Sequence, residues 1–405
     1  MKAAAVVAHS GGPTAVINAS LAGLIEEWRA SKGVGQLFGA LSGLQGLLKD
    51  QFLDLLEQDV ETVQQVSETP GSAIGSSRRK LEQADYELLL DVFRRRNVRW
   101  FFYTGGNGSM ETALQIEHYA KEAEYELRVI GIPKTIDNDL QVTDHTPGYA
   151  STARFFACAA RDVGEDNRSL PSPICVLEVL GRNAGWIVAA TSLARHNEDD
   201  APHLIYLPER PISLDQMASD VERVYRKIGR VLIAVCEGQR DEKGETYGAS
   251  VDRPGSKRRE LASNLGHTVA HLLATKLSVR ARAEKPGLLG RCCGPYATRL
   301  DREEAWECGR AAAKAGIEGQ AGVMVAIRRD SNDPYESSTF LTPLESVAGS
   351  ERLIPLDWIH RDGNDVMPEF VAYARPLIGA IEPWQRFQNR SGPSDSRGDR
   401  HGPEE

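Results

Sequence analysis

Short apolar runs that end in a glycine turn or an acidic loop, then give way to a helical pattern, constrain this chain most. Val98–Tyr103 runs into Thr104-Gly105-Gly106-Asn107-Gly108-Ser109-Met110. Leu127–Ile132 runs into Pro133-Lys134-Thr135-Ile136-Asp137-Asn138-Asp139. An earlier run, Ala4–Ala8, leads through Ser10-Gly11-Gly12 into the apolar helical stretch Ala15–Trp28. This grammar belongs to parallel sheets with helices on both faces, whose ligands bind at the carboxyl ends of the strands. Glycine turns let backbone N–H groups approach phosphate, and the carboxylates of Asp137 and Asp139 follow a strand directly. A phosphate cradle beside paired carboxylates is an arrangement suited to phosphoryl transfer with Mg²⁺.

The same alternation continues along the chain. Further strands are expected at Gln36–Ala40, Ile174–Leu180, His203–Leu207, Arg230–Cys236 and Gly322–Ile327. Helices are expected at Gln83–Arg95, Glu111–Glu124, Leu214–Ile228 and Glu260–Arg282. A second set of strand-end signals is Glu178-Val179-Leu180-Gly181-Arg182-Asn183-Ala184-Gly185-Trp186, with Cys236-Glu237-Gly238 after a later strand. Two sheets facing each other across a cleft would bring both sets together. The expected architecture is α/β, with two doubly wound, Rossmann-like α/β/α domains and the active site between them. A first boundary falls near Pro147-Gly148. The composition of 386–405 reads as a disordered tail.

A chain of 405 residues with 41% hydrophobic content has room for two ordinary cores. Its net charge of −9 argues against nucleic acid as a partner, because phosphate neutralisation needs a basic surface. No apolar run approaches the length of a membrane span, no leader precedes the first strand, and a cytoplasmic location is expected. The six cysteines form no CxxC pair, though Cys292 and Cys293 are adjacent. His267 and His271 lack the further ligands of a zinc site. His9 beside the first glycine turn is read as a packing residue or a site neighbour. A dehydrogenase reading fails because no GxGxxG opens a helix and no ribose-binding acid follows.

These residues resemble the phosphofructokinases, which phosphorylate the 1-hydroxyl of fructose 6-phosphate. The likeness is collinear from about Ala4 to Arg328, through Ser10-Gly11-Gly12, Gly75-Ser76-Ser77-Arg78, Gly105–Ser109, Pro133–Asp139, Gly181–Trp186, Glu237-Gly238 and the Arg282 to Arg291 segment. The resemblance implies that Asp137 is the general base and that Thr135 and Asn138 orient the sugar. It implies donor-phosphate contacts from Gly11, Gly12, Gly106, Gly108 and Ser109, with Arg78 stabilising the transferring group. Asn107 and Asp139 would support Mg²⁺. Leu180, Gly181, Arg182 and Glu237 would form the sugar side. Arg291 would grip the 6-phosphate, and Arg282 would reach a neighbouring copy, making the working unit a homodimer or homotetramer with a shared site. By the same resemblance, 1–149 with about 291–335 would bind the donor, and 150–290 with about 336–385 would bind fructose 6-phosphate.

The departures bear on the donor. Asn107 stands where many ATP-using members carry a Mg²⁺-binding Asp. Users of diphosphate usually pair an Asp at the position of Gly108 with a Lys at that of Lys134; bacterial ATP users have Gly at both. The pair here is mixed. A missing carboxylate removes a charge that would repel a nucleotide α-phosphate, so the two positions lean to ATP, with diphosphate as the alternative. The pattern as a whole lies closest to the bacterial diphosphate-linked branch. Leu180, Leu288, Gly290 and Pro173 also depart from the family pattern; the departures at Asn107, Leu288, Gly290 and Pro173 leave a non-catalytic sugar-phosphate-binding regulator as a remote alternative. Leu21 and Ile25 replace effector-binding arginines.

Overall fold

A computed structural model describes residues 2–170, 173–247 and 264–387. Its strands are β1 (Ala4–His9), β2 (Leu37–Ala40), β3 (Phe52–Asp54), β4 (Val98–Gly105), β5 (Arg128–Pro133), β6 (Ile174–Val179), β7 (Leu204–Tyr206), β8 (Val231–Cys236), β9 (Ala281–Glu284), β10 (Val323–Asn332) and β11 (Tyr335–Pro343). They form two sheets, ordered β11-β10-β5-β4-β1-β2-β3 and β7-β8-β6-β9. Within the first, β2-β1-β4-β5-β10 is parallel, with antiparallel edges at β3 and β11. The second is parallel throughout. The expected α/β architecture is present.

The expected strands agree with those observed to within a residue or two, except that β10 runs on past Ile327 to Asn332. Three edge strands were not expected. The periodicity expected one helix over Glu260–Arg282; the described part of that span is a helix over Leu265–Leu277 followed by β9, and residues 260–263 lie outside the described residues. Of the expected tail, 388–405 lies outside them as well. Arg386 is described and pairs with Asp200 at 2.8 Å and with Glu165.

The topology places the site. From β1 the chain first moves outward to β2 and β3, then crosses back to β4 and on to β5. The crevice between β1 and β4 is therefore the switch point where α/β sheets bind ligands. Register brings the loops together there: His9 lies opposite Thr104, and Thr104 opposite Ile132. The helix Ile17–Ala30 packs across the helix Arg299–Ile317, backbone against backbone. A Cβ on Gly23 would sit 2.0 Å from the Trp306 carbonyl oxygen, and one on Gly309 would sit 1.9 Å from that of Ser20. Leu21 and Ile25 are buried in this core. No helix among the described residues is long and apolar enough to cross a membrane.

Candidate active site

The donor side is built on the first glycine turn. Gly11 has φ +79°, which favours glycine, and its N–H donates to the Ser77 carbonyl at 2.9 Å. Lys134, 3% exposed, reaches in from the end of β5. Its Nζ donates to the Ser10 carbonyl at 2.6 Å and to that of Gly12 at 2.8 Å. Burial lowers the Lys134 pKa to about 8; Asp137 partly offsets this, while Arg291 and Arg78 add to it. An open cavity of about 440 Å³ lies against the turn, lined by Gly11, Gly12, Ser76, Ser77, Arg78 and Arg291 among others. Its lining is small, polar and cationic, which suits a phosphate chain.

The second glycine turn opens the helix Asn107–Glu122, whose N-cap Gly106 makes no side-chain cap bond. Within its first turn the Ser109 N–H donates to the Gly106 carbonyl at 2.9 Å, which leaves the amides of Asn107 and Gly108 to meet an anion. Ser109 is buried, with Oγ packed where a Cβ on Gly105 would stand, 2.1 Å away. Open space surrounds the Cβ direction of Gly108, with nothing among the described residues within 4 Å.

Asn107 and Asp139 meet directly. The Asn107 amide donates to the Asp139 carbonyl at 3.0 Å and to its carboxylate at 2.9 Å. The remaining side-chain oxygens, Asn107 Oδ1 and Asp139 Oδ1, are buried with no hydrogen-bond partner among the described residues. Buried polar atoms are nearly always satisfied, so two adjacent orphan oxygens fit a cation. Burial pushes Asp139 up to about 7, with the charges of Asp137 and Glu351 adding to it. A cation would return it to the ionised form. No group of three His, Cys, Asp or Glu among the described residues could hold a metal. One carboxylate and one amide match the sparse protein ligation of Mg²⁺, which keeps waters and substrate phosphates.

Asp137 is half-buried, and its N–H donates to Thr135 Oγ1 at 3.1 Å. The Thr135 hydroxyl thus braces the turn that carries Asp137. The Asp137 carboxyl is held above the usual range by burial and by Glu237, against the opposing pull of Arg291, Arg182 and Lys134. Glu237, at the end of β8, is raised by burial, with Arg182 the largest opposing charge. Asn138 is fully buried at φ +56°, its amide donating to Tyr373 Oη at 2.9 Å and its Oδ1 accepting the Thr146 N–H at 3.0 Å. The structure therefore gives it a bracing role in place of the expected sugar contact.

The loops after β6 and β8 are neighbours. Gly181, at φ +120°, accepts from the Cys236 thiol, and Arg182 is exposed beside Glu237. Leu180 is 6% exposed and belongs to the second core. Arg282 lies on the edge strand β9, paired with Asp166 at 3.3 Å. Arg291 stands at the donor turn: a Cβ on Gly12 would lie 3.4 Å from its guanidinium and 3.5 Å from that of Arg78. Gly290 has a reason in packing, since a Cβ there would sit 2.5 Å from the Phe156 ring. Leu288 is 66% exposed, and Pro173 offers its carbonyl to the Val231 N–H at 2.5 Å.

Several residues escaped the sequence reading. Lys285 pairs at 2.6 Å with the buried Glu178, at adjoining ends of β9 and β6. Glu351 accepts from Asn183 at 3.0 and 3.1 Å, and Arg352 donates its N–H to the Asp139 carbonyl at 2.8 Å. Nothing in their local sequence marks these contacts. His9 is buried and held neutral, its pKa lowered to about 3 by burial and Lys134, with Nδ1 bonded to Ser72 Oγ at 2.7 Å.

A cationic pocket on a glycine turn, paired carboxylates after β5 and the charged loops after β6 and β8 make a site suited to phosphoryl transfer, the class of a phosphotransferase. The phosphofructokinase family model matches residues 4–316. A pyrophosphate–fructose 6-phosphate 1-phosphotransferase of Rhodospirillum rubrum is 39% identical over 385 residues, covering 93% of this chain and 95% of that protein. One of the same description from Halomonas elongata is 34% identical, covering 95% and 94%. The crystal structure of a pyrophosphate-dependent phosphofructokinase from Marinobacter aquaeolei superposes with a TM-score of 0.84 at 31% identity, over 96% of this chain and 94% of that one. The chain belongs to the phosphofructokinase family.

Proposed function

We propose that this enzyme transfers a phosphoryl group from inorganic diphosphate to the 1-hydroxyl of fructose 6-phosphate. The observation that carries this reading is the buried Lys134 ammonium, anchored inside the glycine turn of a small cationic cavity. There it neutralises a diphosphate leaving group, which carries more charge per atom than a nucleotide tail. The lean to ATP drawn from Gly108 gives way to this alternative, because the relatives named above are described as pyrophosphate enzymes. Gly108 leaves room for a nucleotide without providing for one.

In this mechanism Asp137 takes the proton of the 1-hydroxyl while the sugar oxygen attacks the distal phosphorus. The new O–P bond forms as the bridging P–O bond breaks, and orthophosphate leaves with the electron pair. Arg78 and Lys134 offset the charge that develops. Arg182 and Glu237 orient the sugar. Asn107 Oδ1 and Asp139 Oδ1 would hold Mg²⁺, which when bound supplies charge neutralisation at the donor phosphates. The working unit proposed is a homodimer or homotetramer in which Arg282 serves a neighbouring copy's acceptor, and the setting is cytoplasmic glycolysis.

The test is aldolase-coupled turnover with fructose 6-phosphate and Mg²⁺, using diphosphate and ATP as separate donors. Turnover with diphosphate, and reversal with orthophosphate, is expected. Turnover with ATP alone would overturn the reading. Gly108→Asp, entering open space, should leave diphosphate turnover in place and remove any residual use of ATP.

The pH profile follows from the same charges. Asp137 acts only when ionised, so kcat/KM should fall as pH drops through its raised pKa. Lys134 acts only when protonated, so kcat/KM should also fall as pH rises through about 8. A profile still rising well past about pH 9 would show that the Lys134 charge is not used.

A further inference from the structure

The family model ends at residue 316, yet the catalytic turn is braced by residues beyond it. Tyr373, on the helix Pro368–Ile378, carries the hub. Its hydroxyl accepts the Asn138 amide at 2.9 Å and Arg352 Nη2 at 3.1 Å, and donates to the Asp144 carbonyl at 2.8 Å. Arg352 also donates to the carbonyls of Thr143 and Asp144, and its guanidinium lies 4.4 Å from the Trp186 ring centroid. Its own backbone N–H holds the Asp139 carbonyl at 2.8 Å. The residue before it, Glu351, accepts both Asn183 contacts from the acceptor loop, and its carbonyl accepts from Gln141 at 3.0 Å. The stretch from Asn138 to Asp144, between and after the acidic pair, is thus tied to one late segment.

What is being held is costly by itself. Asn138 stands at φ +56° between Asp137 and Asp139. A non-glycine residue there persists when its surroundings over-determine it. The Asn138 side chain has two partners, Tyr373 on one atom and Thr146 on the other.

We propose that Tyr373 and Arg352 are positioning residues for phosphoryl transfer, holding Asn138 in its left-handed turn so that Asp137 and Asp139 are presented to the reacting groups. The segment 351–378 is then part of the catalytic device of this chain. The proposal rests on Asp137 as the base, which its own substitution tests separately.

The experiment is a double-substitution cycle, read with whichever donor the enzyme turns over. Tyr373→Phe removes one hydroxyl and keeps the ring in its cluster with Trp186, Trp358 and Phe370. It should lower kcat by about 10-fold, since small misplacements of reacting groups are costly, with little change in either KM. Asn138→Gly takes the same backbone conformation without a side-chain brace. Added to Asn138→Gly, the Tyr373→Phe change should lower kcat less than about 2-fold. Equal losses in both backgrounds, or a lowered melting temperature with kcat unchanged, would overturn the proposal. Arg352→Lys, read in the same two backgrounds, gives the second arm should Tyr373→Phe fail to fold.

Discussion

Replacing Asp137 by alanine is expected to lower turnover by about 10²- to 10⁴-fold, the usual contribution of a positioned base, while fructose 6-phosphate still binds. The carboxylate stands where the end of β5 turns, with its N–H braced by Thr135. Burial and Glu237 raise its pKa, which makes it a better proton acceptor once ionised. Its charge is also a cause of the high pKa of Asp139. Removing it should therefore let Asp139 ionise at lower pH, so that the residual activity has its acid limb displaced downward. Asp137→Asn keeps the shape and should lose nearly as much. Single-turnover rates and calorimetric binding of the sugar phosphate separate the effects. A loss smaller than about 10-fold would remove Asp137 from the base role. A wild-type protein that binds the sugar phosphate without turning over would restore the regulator reading.

Lys134→Met should lower diphosphate turnover by about 10²- to 10³-fold, the scale found when one preorganised charge donor is removed. The buried ammonium sits between the Ser10 and Gly12 carbonyls, against the glycine turn that lines the cavity, and feels the charges of Arg291 and Arg78. The substitution also leaves those two carbonyls short of a donor, at about 1–3 kcal/mol each, so a lower melting temperature is expected beside the kinetic loss. The KM for diphosphate should rise and that for fructose 6-phosphate should stay. A variant that melts earlier yet turns over diphosphate at the wild-type rate would reduce Lys134 to a brace of the glycine turn.

Much of the fold was legible because its signals are local. The central strands β1, β5, β6 and β8 are mostly small or branched apolar residues and β4 is rich in aromatic residues, and glycine or acid follows their ends. Three of the four edge strands, β3, β9 and β11, escaped for the same reason. β11 is Tyr-Glu-Ser-Ser-Thr-Phe-Leu-Thr-Pro, half-exposed along most of its length, with no apolar run to betray it. β9 is Ala-Arg-Ala-Glu and read as the end of a helix.

The glycine loops, the acidic pair and the loops after β6 and β8 could be found from strand ends, and the structure brings Asp137 within reach of the charges of Glu237 and Arg182. The bracing residues could not. Tyr373 and Asn138 are 235 positions apart, and neither carries a mark of the other. Arg291, expected to grip the 6-phosphate, lies close to Gly12 and Arg78 and also acts on Asp137 and Glu237, a meeting that its local sequence does not mark.

The amino-acid sequence by itself determined the order of strands and helices, the loops that carry the chemistry and the residue types in them. Apolar periodicity and glycine act within a few residues, so they are written locally. Only the tertiary structure decided the direction in which the pKa values of Lys134, Asp137 and Asp139 move, the orphan oxygens of Asn107 and Asp139, and the late segment that holds Asn138. Desolvation and Coulomb interaction depend on what packs over a group, and that is settled only when distant parts of the chain meet.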